Sequence, residues 1–363
     1  MTIERVQVDH YNIPLPVTLS DSTHGDITHF ALVTLRITDS DGAEGLGYTY
    51  TVGNIGGSAV ASLLRDDVVP VLEGSDASCI EAIWQRMWWH LHFVGRGGLV
   101  SFAMAAADVA LWDLQAKRAG LPLWRHLGGH RDRVQAYAGG IDLMFTLDEL
   151  LAQADGFLAN GFTAIKMKVG RDLVTDDAAR VAAMRSHLGE DFTLLADANM
   201  RWSVDEAVRA ANLFREQRLF WLEEPTIPDD IAGHARIVRE GGVPIAAGEN
   251  LHSVYEFQHY IAAQALTFPE PDLATLGGIT PWMKVARLAE AANLPVTSHG
   301  VHDLHVHLLA AVPNASLLEV HGFGLERYIT HEMQMENGEA LAPSRPGHGV
   351  DFDWQGLEAL RVS

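Results

Sequence analysis

The chain has 363 residues, of which 48% are hydrophobic and 20% are charged, as in folded proteins of one or two domains. Its 47 acidic and 26 basic residues give a net charge of −21, which argues against a nucleic-acid-binding surface and means that a site for an acid must supply its own cations. No run of about 18 uncharged apolar residues occurs, and a single cysteine cannot form an internal disulfide, so we expect no membrane span and a cytoplasmic location.

The N-terminal third predicts strands followed by helices. Apolar residues are frequent over 6–13, and they alternate with polar residues over 29–38, which is typical of strands. The polar run at 39–42 ends in glycine and predicts a turn. Residues 58–128 predict helices, among them a long apolar helix over Leu99–Arg118.

After residue 129, short β-rich runs alternate with amphipathic helices. The predicted strands are 134–138, 162–169, 192–199, 220–224, 244–249, 266–272, 295–299 and 316–320, and helices such as 204–216 and 279–292 lie between them. Strict alternation of strand and helix indicates a parallel sheet, and about eight such units indicate a closed barrel.

Polar residues end seven successive strands of this predicted barrel, which is unusual for a buried sheet. They are Lys166 and Lys168, Asp197, Glu223, Glu249, Asp272, His299 and Glu319. Roughly 20 to 30 residues separate each from the next, the length of one strand and one helix. We therefore expect these side chains to meet at the C-terminal mouth of the barrel, where the active sites of such barrels lie.

Three carboxylates, those of Asp197, Glu223 and Glu249, come from adjacent predicted strands. Packed together without a cation they would repel one another, and hard oxygen ligands of this kind suit Mg²⁺. The alternative is three separately solvated carboxylates at the starts of loops. We favour the magnesium site because the strand order brings the three groups together.

Lys166 and Lys168 lie two residues apart and therefore face the same side of their strand. Two neighbouring ammonium groups lower each other's pKa, so one lysine is predicted to act as a general base. The alternative is a pair of ordinary lysines opposite a buried face formed by Ile165 and Met167.

His299 and Asp272 end neighbouring strands and predict a second acid/base group, in which the carboxylate fixes the imidazole tautomer. The alternative is a core histidine with satisfied hydrogen bonds. Glu319 is predicted to be a protonated acid that donates a hydrogen bond to a developing anion. Its alternative is a salt bridge to a lysine.

Together these motifs resemble those of the enolase superfamily, in particular its mandelate racemase subgroup. The resemblance rests on Lys166-Met167-Lys168, Asp197-Ala198-Asn199, Leu222-Glu223-Glu224-Pro225, Gly248-Glu249-Asn250, Pro271-Asp272, Gly277-Gly278-Ile279-Thr280, Ser298-His299 and Leu318-Glu319, and it covers nearly the whole chain. It implies an α/β fold with three parts: an α+β capping domain (1–128), a modified TIM barrel, (β/α)7β (129–335), and a C-terminal segment that returns to the cap (336–363). It also implies a homo-oligomer.

The family's chemistry is abstraction of a proton α to the carboxylate of a small-molecule substrate, which gives an enediolate. The resemblance implies Mg²⁺ at the three carboxylates, with Lys168 as the base on one face and the His299–Asp272 dyad on the other. Lys166 would neutralise the substrate carboxylate and tune Lys168. Asn199 would contact the substrate or a water ligand, and the polar cap segment around His24 suits a polyhydroxy substrate.

The fate of the enediolate separates the possible functions. The likeness to talarate/galactarate-type dehydratases favours a magnesium-dependent acid sugar dehydratase, a carbon–oxygen lyase that yields a 2-keto-3-deoxy acid. The alternatives are a racemase or epimerase of an α-hydroxy or amino acid derivative that uses the same bases, and a metal-binding scaffold without activity.

Two features depart from the dehydratase pattern. The cap stretch 51–54 carries no basic residue, which leaves open a substrate with only one carboxylate. Glu270 lies on the same strand face as Asp272, where the family often has an uncharged residue.

Overall fold

The computed structural model describes residues 1–321 and 324–362. Its N-terminal part contains an antiparallel sheet in which β1 (Ile3–Asp21) pairs with β2 (Gly25–Asp39) and β2 pairs with β3 (Glu44–Val52). The predicted turn at 39–42 joins β2 to β3, and Gly42 there has a φ of 79°, which favours glycine.

Five helices follow this sheet in the chain, and the longest of them packs against it. They are α1 (Gly57–Leu63), α2 (Val69–Leu72), α3 (Ile80–Leu91), α4 (Leu99–Arg118) and α5 (Leu123–His126), with a π-helical turn at Leu64–Val68 between α1 and α2. Helix α4 approaches β3 so closely that a Cβ atom at Gly47 would lie 2.0 Å from the Ala106 carbonyl oxygen. Within the described residues, α4 alone is long and apolar enough to cross a membrane, but 78% of its apolar window is buried inside the protein, as in a core helix.

Parallel strands and helices alternate after α5. Strands β4 (Arg133–Gly139), β5 (Ala164–Lys168), β6 (Thr193–Asp197), β7 (Leu222–Glu223), β8 (Ile245–Ala247) and β9 (Phe268–Pro269) pair in chain order, and β10 (Leu318–Val320) pairs with β4. Between β9 and β10, Val296 forms a parallel bridge with Ala315, and the Thr297 amide donates to the Pro269 carbonyl at 2.9 Å. The strands thus close, and the predicted modified TIM barrel with an α+β N-terminal domain is confirmed.

The remaining helices surround the barrel. They are α6 (Leu147–Ala159), α7 (Val174–Leu188), α8 (Val204–Phe214), α9 (Ile231–Gly241), α10 (Val254–Ala262), α11 (Leu273–Leu276), α12 (Ile279–Ala291), α13 (His302–Ala311) and α14 (Trp354–Glu358), with 3-10 turns at Arg215–Gln217 and Leu325–Tyr328. Capping boxes begin α6 at Thr146 and α8 at Ser203, where each hydroxyl accepts from the backbone three residues on. Two short strands, β11 (Met335–Glu336) and β12 (Glu339–Leu341), extend the sheet beside β4.

The barrel interior is a packed floor beneath its C-terminal mouth. The buried side chains of Tyr137, Leu195, Trp221 and Phe268 form one cluster there with Ala164, Ala246 and Leu317. The N-terminal domain covers the mouth, and its contacts with the barrel include a hydrogen bond of 2.9 Å from Trp84 Nε1 to the Gly277 carbonyl oxygen. The chain end also reaches this domain, because the Asn12 amide donates to the Leu360 carbonyl at 2.9 Å.

Candidate active site

The sequence-predicted polar residues lie together at the C-terminal mouth of the barrel. The sheet register sets this arrangement, because Lys168 pairs with Asp197 between β5 and β6, and Asp197 pairs with Glu223 between β6 and β7. Glu249 and Asp272 follow β8 and β9 within a few residues. Lys168, Asp197 and Glu223 therefore enter the mouth at positions fixed by hydrogen-bonded strands, and Glu249 and Asp272 enter it from the segments that follow their strands.

The carboxylates of Asp197, Glu223 and Glu249 each bring an oxygen within 4.8 Å of the others. Two of the carboxylates are oriented by hydrogen-bond donors. The backbone N–H of Asn199 donates to Asp197 Oδ1 at 2.8 Å, and Trp221 Nε1 donates to Glu223 Oε2 at 2.9 Å. Burial and the charge of Asp197 raise the pKa of Glu223 to about 8, which reflects the cost of packing these groups without a cation. Three hard oxygen donors converging on one point fit a magnesium ion.

Two lysines border this carboxylate cluster. Nζ of Lys166 lies 2.5 Å from Glu223 Oε1, and Nζ of Lys168 lies 2.5 Å from Asp197 Oδ2. Burial lowers the pKa of each lysine, but the neighbouring carboxylates outweigh it, and both pKa values are raised. As predicted, Lys166 lowers the pKa of Lys168, but the carboxylates next to the two ammonium groups outweigh this effect, so the expected net lowering is not found.

His299 forms the predicted dyad with Asp272: its Nδ1 lies 3.1 Å from Asp272 Oδ2. Its Nε2 faces the other way and lies 2.9 Å from Glu249 Oε2. Burial lowers the pKa of His299, but Glu249 and Asp272 raise it well above its usual value. The imidazole is thus a proton donor that faces the carboxylate cluster.

Glu319 forms a salt bridge with Lys166. Its Oε1 lies 2.8 Å from Lys166 Nζ, and its Oε2 accepts a hydrogen bond of 2.8 Å from the Gly300 amide. Burial raises its pKa, but Lys166 and His299 lower it further, to well below the usual range. This geometry corresponds to the salt-bridge alternative, and the neutral carboxylic acid stays a prediction.

The two residues predicted to contact substrate also reach the mouth. Asn199 has a left-handed backbone conformation, with a φ of 42°, and its buried side-chain oxygen has no hydrogen-bond partner among the described residues. His24 lies at the rim of the cap, where its Nδ1 is 2.8 Å from Asp21 Oδ2. This hydrogen bond raises the pKa of His24.

A cleft of about 360 Å³ separates the cap from the barrel mouth. Its barrel side carries Glu249, Asn250, His252, Thr275 and His299, and its cap side carries His24, Tyr50, Thr51, Val52, Ile55, Gly56, Gly98, Leu99 and Phe102. Within the described part of the chain, no lysine or arginine lines this cleft. The cap side is therefore largely apolar, and its basic side chain is a histidine.

Sequence reasoning missed Tyr50, whose hydroxyl donates to Asp272 Oδ2 at 2.6 Å. The available signal was the repeat of Tyr48 and Tyr50, because residues two apart on a strand face the same side. Glu270, predicted to lie on the same strand face as Asp272, directly follows β9. It is fully buried beneath the site and accepts from the Tyr137 hydroxyl at 3.2 Å, and burial raises its pKa well above the usual value.

Comparison with known proteins identifies the family to which the two parts of the chain are similar. Residues 3–128 match the mandelate racemase/muconate lactonizing enzyme N-terminal domain, and residues 149–356 match the enolase C-terminal domain-like family. A 3,6-anhydro-alpha-L-galactonate cycloisomerase of Streptomyces coelicolor is 56% identical over 99% of both chains. An L-talarate/galactarate dehydratase of Salmonella typhimurium is 35% identical over 96% of this chain and 88% of the relative.

Solved structures agree closely with this fold. A racemase from Streptomyces coelicolor with bound magnesium has a TM-score of 0.97 and 54% identity, covering 99% of this chain and 100% of that one. An L-talarate dehydratase from Polaromonas with magnesium and L-glucarate has a TM-score of 0.94 and 36% identity, covering 100% of this chain and 98% of that one. Since these structures hold magnesium and the carboxylate cluster fits it, the predicted cofactor is confirmed.

Proposed function

Because the chain belongs to the mandelate racemase/muconate lactonizing enzyme family of the enolase superfamily, we propose that it removes the α-proton of a sugar acid and expels the oxygen on the β-carbon. One observation carries this proposal. Lys168 and His299 border the two ends of the carboxylate cluster, with Nζ 2.5 Å from Asp197 Oδ2 and Nε2 2.9 Å from Glu249 Oε2. A base and an acid therefore flank the position where a carboxylate substrate would bind.

Asp197, Glu223 and Glu249 would hold the magnesium ion, which acts as a Lewis acid on the substrate carboxylate. Nζ of Lys168 would accept the α-proton, because a cation at Asp197 would weaken the effect by which this carboxylate raises the pKa of the lysine. Lys166, held between Glu223 and Glu319, keeps its positive charge next to the substrate carboxylate. This charge stabilises the anion formed on proton removal.

His299 then donates the proton on Nε2 to the departing oxygen. Asp272 accepts from Nδ1 and stabilises the charged imidazole before the transfer. The α C–H bond and the β C–O bond break, a double bond forms between these carbons, and the resulting enol becomes a 2-keto-3-deoxy acid. Asn199 and His24 are assigned to the substrate's hydroxyl groups, because their polar atoms border the same mouth.

The cleft supports a substrate with one carboxylate and an uncharged distal end. Its cap wall of Val52, Ile55, Leu99 and Phe102 offers no strong cation to a second carboxylate. A 3,6-anhydro sugar acid, the substrate type in the name of the 56% identical relative, meets this requirement. Its β-oxygen is the ring ether oxygen, so elimination opens the ring and gives an isomer without release of water.

Dehydration of an open-chain sugar acid is the second candidate. The Asp21–His24 pair at the cap rim favours it, because an imidazole and a carboxylate side by side offer hydrogen-bond partners to several hydroxyl groups. The predicted hydro-lyase activity corresponds to this candidate, and the 35% identical relative bears such a name. The two reactions share every step except the fate of the expelled oxygen.

The test is proton NMR in ²H₂O with Mg²⁺ and three substrates: 3,6-anhydro-L-galactonate, L-galactonate and galactarate. We expect ring opening of the anhydro acid to a 2-keto-3-deoxy product of unchanged elemental composition, with deuterium at C3. Faster conversion of an open-chain acid would favour dehydration, and deuterium at C2 of retained substrate without elimination would favour racemisation. No exchange and no product with any acid would refute the proposal. As controls, Lys168→Ala should lose both exchange and product, and His299→Asn should lose product.

A further inference from the structure

Tyr50 links the cap to the catalytic dyad of the barrel. It lies in the cap strand β3, yet its hydroxyl donates to Asp272 Oδ2 at 2.6 Å. The same carboxylate oxygen lies 3.1 Å from His299 Nδ1, and the tyrosine hydroxyl lies 3.4 Å from that nitrogen. One oxygen of Asp272 therefore receives hydrogen bonds from two different domains.

The position of this hydroxyl is fixed by its surroundings. Tyr50 is 7% exposed, its backbone is paired with Leu32 in β2, and its ring centre lies 6.0 Å from that of Phe30. Burial and the charge of Asp272 raise the pKa of the phenol well above its usual value, so it remains a donor. The second oxygen of Asp272 is held by the Ala274 amide at 2.7 Å.

Carboxylates surround the opposite edge of the imidazole. Nε2 of His299 lies 2.9 Å from Glu249 Oε2 and 4.0 Å from Glu319 Oε2. These acceptors attract Nε2 on one side, whereas Asp272 and Tyr50 fix Nδ1 on the other. Loss of the tyrosine hydroxyl would leave Asp272 Oδ2 with fewer fixed donors and allow the dyad to rotate away from its working geometry.

We propose that Tyr50 is a positioning residue that locks Asp272 and thereby orients His299 toward the leaving oxygen, so that the second half of the reaction depends on the cap. The proposal rests on the proposed function, in which His299 donates a proton to the leaving oxygen. It assigns no part to Tyr50 in proton removal by Lys168, which lies at the other end of the cluster. The two half-reactions are therefore expected to respond differently to a change at Tyr50.

The test compares Tyr50→Phe with Tyr48→Phe in the full-length magnesium-loaded protein. Tyr48 lies on the same strand and is fully buried, but its hydroxyl has no hydrogen-bond partner among the described residues. With 3,6-anhydro-L-galactonate in ²H₂O, we expect Tyr50→Phe to slow keto product formation by about 10- to 100-fold, the usual effect of losing such a supporting hydrogen bond. Deuterium exchange at C2 of retained substrate should persist, so the ratio of exchange to product rises. Tyr48→Phe should leave this ratio unchanged.

An unchanged ratio of exchange to product in Tyr50→Phe, whether or not both rates fall, would overturn the proposal. A second measurement is independent of turnover: the ¹⁵N–¹H signal of His299 Nδ1 in histidine-labelled protein, assigned with His299→Asn. We expect this signal to shift in Tyr50→Phe and to stay in place in Tyr48→Phe, and an unmoved signal in both would also overturn the proposal. If no acid is turned over, the proposed function fails while this signal still tests Tyr50.

Discussion

Lys166 and Glu319 form a direct ion pair, with Nζ 2.8 Å from Oε1, and the same ammonium lies 2.5 Å from Glu223. Each lysine at the mouth thus neutralises part of a larger set of carboxylates. The carboxylates of Asp197, Glu223, Glu249 and Glu319 carry four negative charges when ionised, and the two lysines offset two of them. With the His299–Asp272 pair counted as neutral, two negative charges remain, and one divalent cation such as magnesium would balance them.

Magnesium is therefore expected to stabilise the fold. A ligand that binds only the folded state adds about 2.7 kcal/mol at one hundred times its Kd, and relief of carboxylate repulsion contributes to that affinity. The Tm in a magnesium titration should rise relative to EDTA, and Glu223→Gln should need more magnesium for the same rise. Glu216→Gln, which removes the same charge from an exposed turn, is the control. Equal magnesium responses in both variants would exclude Glu223 as a ligand.

Trp221 is expected to support the metal site from below. It is fully buried in the barrel floor, and its Nε1 donates to Glu223 Oε2 at 2.9 Å. Trp221→Phe removes the donor that orients this ligand, and we expect magnesium affinity to fall about 10-fold or more. Trp282→Phe is the matched control, since Trp282 is equally buried and its Nε1 donates to the Pro271 carbonyl at 2.9 Å. A loss of affinity that is equal in both variants would point to general destabilisation instead.

The fold and the barrel part of the site were predictable because local pattern determines them. Alternating strands and helices gave the barrel, and polar strand ends gave the positions from Lys166 to Glu319, since parallel register brings strand ends together. The predicted strand 266–272 is reduced to Phe268–Pro269, because Asp272 leaves the sheet to cap helix α11. Residue propensities do not show at which residue a strand ends and the segment that carries the site residue begins.

The charge state and the cap contacts were not predictable in the same way. The sequence places Lys166 and Lys168 next to each other, but it does not give the 2.5 Å contacts with Glu223 and Asp197 that reverse the direction of their pKa shifts. The bond from Tyr50 to Asp272 joins residues 222 positions apart in different domains. Such contacts depend on domain docking, which no local periodicity encodes.

Ile55 offers a test of the apolar cap wall. Its side chain lines the cleft and is 80% exposed, so an arginine there has room and faces the distal end of a bound acid. We expect Ile55→Arg to lower KM for a diacid such as galactarate relative to a monoacid, because a guanidinium pairs with a second carboxylate. Leu213→Arg adds the same charge on helix α8, away from the cleft, and separates this contact from long-range attraction. An equal change in relative KM in both variants would contradict the assignment of Ile55 to the cap wall of the cleft.

Asp108 is expected to make stability depend on pH across the cap–barrel contact. It is fully buried in helix α4 and accepts from the Thr280 hydroxyl at 2.7 Å and the Thr280 amide at 2.8 Å. Burial raises the pKa of its carboxyl to about 7, whereas the unfolded chain loses this proton near pH 4. Between these values the folded state binds the extra proton, so stability from this group is complete at low pH and falls as pH rises toward 7.

The corresponding change is Asp108→Asn, which remains uncharged at every pH. We expect the free energy of unfolding of the wild-type protein, measured with urea, to fall more than that of the variant between pH 5 and pH 8, by about 1.4 kcal/mol for each unit of pKa shift in that interval. At pH 5 the variant should be the less stable protein, because its amide nitrogen cannot accept one of the two hydrogen bonds from Thr280. Parallel pH profiles for the two proteins would show that Asp108 ionises alike in the folded and unfolded chains, and the cap–barrel contact would then contribute nothing to the pH dependence.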